Sequence, residues 1–100
     1  MIATRMSDAF RQKLVRGLQD KRSDIEKDLM AARAELAKAV SDRDYWRDMA
    51  RKANPGQRSE TSEEHKLGLE KVMRLEGECA DMERQIRDLT DDILEAARGS

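Results

Sequence analysis

A chain of 100 residues has room for one domain, and a composition of 41% charged against 3% aromatic residues leaves little apolar bulk to enclose a substrate pocket. An enzyme is therefore not expected, and neither is a cofactor, a metal site or a small-molecule substrate. The net charge of −1 offers no general attraction to nucleic acid, and no run of residues approaches the roughly 20 apolar positions of a membrane span.

The first element is a basic amphipathic segment over residues 1–17. Ser7 can cap a short helix in which Met6, Phe10, Leu14 and Leu18 recur every four positions, with Gly17 at the junction to the next helix. Residues 1–22 carry six Lys or Arg against Asp8 and Asp20. The segment lacks the apolar block of a signal peptide, so a cytoplasmic protein is expected. Out of phase with the heptads beyond it, this helical extension is the expected contact element for another protein. Met6, Phe10 and Leu14 would anchor that contact, and Arg11, Lys13 and Arg16 would add charge.

A long helix is predicted over 18–53. Read backwards from its end, Ala53, Ala50, Trp46, Arg43, Ala39, Leu36, Ala32, Leu29, Ile25, Arg22 and Leu18 alternate steps of three and four, the spacing that holds one stripe against a partner helix. Asn54-Pro55-Gly56 ends it, because Pro lacks an amide donor and Gly readily takes the left-handed conformation of a helix end. The loop is expected over 54–61, with Thr61 and Glu64 reading as a capping box.

The second helix, over 62–97, repeats the pattern at Val72, Leu75, Cys79, Met82, Ile86, Leu89, Ile93 and Ala96. Two seams of equal period joined by a breaker predict an all-α fold, an antiparallel coiled-coil helical hairpin over 18–100. A loop centred between Gln57 and Arg58 would set Leu36 against Cys79 and Arg43 against Val72. Residues 60–100 hold six bases against twelve acids, so the basic start of the chain would lie beside its acidic finish. A two-helix core of this kind rarely exceeds roughly 3–5 kcal/mol, and association into a homodimeric bundle or a higher homo-oligomer is expected. A second face, with Leu69, Met73, Gly77, Ala80, Leu94 and Ala97 on one helix and Met30, Ala37 and Val40 on the other, is available for it.

The residues that could carry chemistry have plain structural readings. Cys79 occupies a seam position and reads as a buried filler; alone, it forms no internal disulfide, which agrees with a reducing compartment. His65 has too few companions to make a zinc site. Arg43, Arg47 and Arg51 recur every four residues near Tyr45 and Trp46, with Lys52 and Arg58 beside them, and such a surface can hold phosphate and stack on bases. Asp44 and Asp48 interleave with those arginines and oppose their field.

In outline, a short helix ending at Gly17 and leading into a long antiparallel hairpin is similar to the tRNA-binding arm of seryl-tRNA synthetases and to the oligomerising hairpins of phage small terminase subunits. The likeness is one of shape, and no family is assigned from it. Trp46-Arg47-Asp48 departs from the motif of the small secreted WXG hairpins, lacking its glycine and lying on the helix. Two functions are therefore carried forward. The first is a non-catalytic interaction or assembly module that self-associates and presents residues 1–17 to a partner protein. The alternative is an oligomeric nucleic-acid-binding hairpin that uses Arg47, Arg51, Lys52 and Arg58, or the bases of the N-terminal segment.

Overall fold

The computed structural model describes residues 7–98, and among them it contains two α-helices, α1 (Asp8–Lys52) and α2 (Arg58–Arg98), with no strand. Ser7 caps α1: its Oγ accepts a bond from the Phe10 amide at 3.2 Å, and its carbonyl accepts the Arg11 amide at 2.9 Å. Asp8 in the first turn and Arg51 and Lys52 in the last complement the helix dipole.

The turn is shorter than the sequence suggests. The Asn54 carbonyl accepts the amides of Gln57 at 2.9 Å and Arg58 at 3.0 Å, so α2 begins at Arg58 rather than at residue 62, and α1 ends at Lys52. Pro55 is tolerated there because it lies in the turn before α2, outside both helices, where no helical hydrogen bond requires its missing amide. Gly56 does not take the left-handed conformation expected of it. Thr61 lies inside α2, where its hydroxyl donates back to the carbonyls of Gln57 and Arg58 and therefore does not cap the helix.

The chain forms two compact units. In Met30–Ala80 the helices run antiparallel on either side of the turn. Ala39, Val72 and Leu75 make a buried cluster, with Leu36 and Val40 packed against it. A Cβ placed on Gly68 would sit 3.2 Å from the Cα of Arg43, so the backbones meet closely at that level. The sequence pattern sets Arg43 opposite Val72; the contact instead falls one helical turn nearer the bend, as the early start of α2 requires. In residues 7–29 with 81–98, Ile25 and Leu89 share a crevice with Lys21, Gln85 and Asp88, while Val15 lies beside Ala97.

Burial marks the seam residue by residue. Along the seam the covered positions on α1 run Arg11, Val15, Leu18, Arg22, Ile25, Leu29, Ala32, Leu36, Ala39, Arg43, Trp46 and Ala50, and on α2 Thr61, His65, Gly68, Val72, Leu75, Cys79, Met82, Ile86, Leu89, Ile93 and Ala96, with Val40, Asp44, Asp48, Glu83 and Thr90 partly covered beside it. Both series alternate steps of three and four without interruption. The N-terminal stretch is thus no separate short helix: α1 runs unbroken through Gly17, and Arg11 and Val15 carry the seam where Phe10 and Leu14 do not.

Candidate functional site

Three exposed surfaces remain once the seam is assigned. The first is the start of α1. Met6 lies outside the described residues. Phe10 (56% exposed) and Leu14 (36%) stand off the seam, since four-residue steps rotate steadily away from a heptad stripe. Lys13 is exposed as well. Arg11 is drawn inward and pairs with Asp8, although its Nε is buried without a hydrogen-bond partner. Arg11 and Arg16 line an open cleft of about 420 Å³ with Asp8, Gln12, Val15, Gln19 and Ala97. Of the six residues expected to form one contact element, Phe10, Lys13, Leu14 and Arg16 are exposed, and Arg11 lies on the seam.

The second surface is the basic stretch at the end of α1. Arg43 donates through Nε and Nη2 to Asp44 Oδ1 at 3.2 and 3.0 Å, and Arg47 reaches the same oxygen at 3.3 Å. Asp48 takes Arg51 at 2.5 Å and Lys52 at 3.1 Å. Bonds from Arg51 first, then from Lys52, hold the Asp48 carboxyl below its usual range. Each carboxylate thus satisfies two bases along one helix, and Arg47, Arg51 and Lys52 keep their exposure while losing much of their field. Arg58 is exposed at the first position of α2. Trp46 is half-buried on the seam, with its ring edge-on to Tyr45 at 5.2 Å between centroids, so a face for stacking bases is limited to Tyr45.

The third surface is apolar and lies on Met30–Ala80. In an antiparallel heptad pair, the positions next to the seam on one side of one helix adjoin the corresponding positions of the other. Val40 and Leu69 are such positions, and Met30, Ala37, Met73 and Ala80 lie just outside them. Met30 is 72% exposed, Met73 64% and Leu69 39%, whereas Val40 is continuous with the buried cluster. The opposite side of the same unit bears Tyr45, Met49 and Leu67, also exposed. Leu67 carries no signal in the sequence because a lone Leu off the seam is an ordinary surface feature; only its proximity to the turn singles it out.

Cys79 is buried on the seam, His65 is half-buried there, and no three of the described His, Cys, Asp or Glu side chains are grouped to hold a metal ion. No described helix is long and apolar enough to cross a membrane. No family model matches the sequence, and neither a curated protein nor a solved structure does.

Proposed function

We propose that this chain is a non-catalytic interaction and assembly module: a helical hairpin that self-associates and offers the outward side of its N-terminal stretch, Phe10 and Leu14 with Lys13, to a partner protein. The observation that carries this reading is the mismatch between core and surface. Among the described residues the buried core is Ala32, Ala39, Val72, Leu75, Cys79, Leu89 and Ala96, nearly half of it alanine, while Phe10, Met30, Tyr45, Leu67, Met73 and Leu94 are each more than half exposed. A buried lone thiol suits a reducing, cytoplasmic setting. The nucleic-acid alternative draws little support from arginines already committed to Asp44 and Asp48.

Two measurements test the reading. Sedimentation equilibrium should return a mass of at least two chains, and Phe10→Glu with Leu14→Glu should abolish partner capture without changing helicity or mass. Binding to nucleic acid that falls steeply with salt and disappears in Arg47→Ala, Arg51→Ala would replace it with the alternative.

A further inference from the structure

The apolar side of Met30–Ala80 exposes Met30, Leu69 and Met73 and is continuous with the buried cluster through Val40.

Its pattern also specifies an occupant. Counting along both helices from the contact of Arg43 with Gly68 brings Met30 level with Ala80 and Ala37 level with Met73, to within about one residue, or ~1.5 Å of rise. A long side chain on one helix thus stands beside a short one on the other, twice, with the order reversed. By the same count Val40 comes near Leu69, Arg33 near Glu76 and Asp44 near Lys66, each to within about two residues, or ~3 Å.

Resting on the self-association reading above, we propose that this face is where a second copy of the chain docks, with both turns at the same end, so that α1 of each copy lies on α2 of the other. A two-fold axis parallel to the helices then sets Met30 over the partner copy's Ala80, Met73 over its Ala37 and Val40 over its Leu69. Arg33 meets Glu76, of opposite charge, while Asp44, level with Lys66, is already held by Arg43 and Arg47. Every neighbouring pair of helices in this unit is antiparallel, which aligns their dipoles favourably. The reverse arrangement, with turns at opposite ends, stacks α1 on α1 and α2 on α2. It brings Arg33 against Arg33 and Glu76 against Glu76, and it sets Val40 and Leu69 over charged positions. Size matching alone permits both arrangements; charge selects the first.

The test uses the full chain. Leu69→Glu with Met73→Glu, both at exposed sites, should keep the helicity of the wild type and reduce a two-chain mass to one. Tyr45→Glu with Leu67→Glu, on the opposite side, should leave the mass at two. In a Cys79→Ala background, mixing Ala37→Cys chains with Met73→Cys chains and adding a short bis-maleimide should give a cross-linked pair, and mixing Met73→Cys with Ala80→Cys chains should not. A dimer that survives the first variant and dissociates in the second overturns the assignment of the face while leaving self-association standing. Cross-linking of Met73→Cys to Ala80→Cys overturns the arrangement, and a one-chain mass for the wild type at every concentration overturns self-association itself.

Discussion

At the scale of single residues, the glycines of the two helices separate cleanly by what surrounds them. Gly17 and Gly77 have open space where a Cβ would stand, while at Gly68 that atom would press on the Arg43 backbone at 3.2 Å. Alanine in a helix interior is favoured over glycine by about 1 kcal/mol. Gly17→Ala and Gly77→Ala should therefore each raise the thermal midpoint. Gly68→Ala should gain nothing or lower it, because two helix backbones must move apart by a few tenths of an ångström along a packed seam. Calorimetry on the three variants reads the difference directly. Asp48 gives a second residue-level expectation. Its carboxyl titrates below the unfolded value because Arg51 and Lys52 bind the ionised form. The pairs are thus intact above the unfolded carboxylate pKa near 4 and are lost as pH falls through the lower folded value. Carboxyl chemical shifts tracked by NMR should show Asp48 protonating below the unfolded carboxylate value, and Arg51→Gln with Lys52→Gln should raise its midpoint. Neither Gly68 nor Asp48 was legible in the sequence as special: a glycine at a seam spacing reads as an absence, and an aspartate among arginines does not reveal which of them it holds.

At the scale of the helices, the seam was legible from Leu18 to Ala50, Arg22, Arg43 and Trp46 included, and from Val72 to Ala96, while its ends, at Arg11 and at Thr61, His65 and Gly68, were not. Val72 through Ala96 keep the heptad in apolar letters, so this stretch of α2 is evident in the sequence. Thr61, His65 and Gly68 continue the same spacing toward the turn in residues that no hydrophobic count would collect. The same concealment operates at the start of α1, where Arg11 holds the seam position and the more conspicuous Phe10 lies off it. A boundary at Gly17 comes from the four-residue spacing of Phe10, Leu14 and Leu18, which is not the spacing that packs. The helix crosses Gly17 because a solvent-facing glycine costs it only about 1 kcal/mol, which capping at Ser7 and the seam contact of Val15 can offset. Val15→Asp should accordingly unwind the first turns of α1 and lower stability by about 1–2 kcal/mol, whereas Phe10→Asp should leave both unchanged. Amide exchange at residues 11–18 distinguishes them: rapid exchange in the Phe10 variant would mean that the N-terminal stretch is held by its exposed face after all.

At the scale of the whole molecule, stability and association become one question. Leu75 is 1% exposed and belongs to the cluster with Ala39 and Val72. Truncating such a leucine costs ~2–5 kcal/mol, while a lone hairpin core of this kind supplies roughly 3–5 kcal/mol in total. An isolated chain carrying Leu75→Ala should therefore be largely unfolded at room temperature. A chain that docks with a second copy has a further source of stability, one that grows with the logarithm of concentration because only the folded form associates. Under the proposed docking, Leu75→Ala should be unfolded when dilute and recover helicity as its concentration rises through the dissociation constant, and its thermal midpoint should climb with each tenfold increase. The wild type should show the same climb from a higher starting point. Adding Leu69→Glu and Met73→Glu to Leu75→Ala should remove the concentration dependence and leave the chain unfolded throughout, because the exposed pair contributes to stability only through the second copy. If circular dichroism found the single Leu75→Ala variant folded at high dilution, the hairpin would hold more stability of its own than its alanine-rich seam accounts for, and the exposed methionines would lose their main reason to be paired.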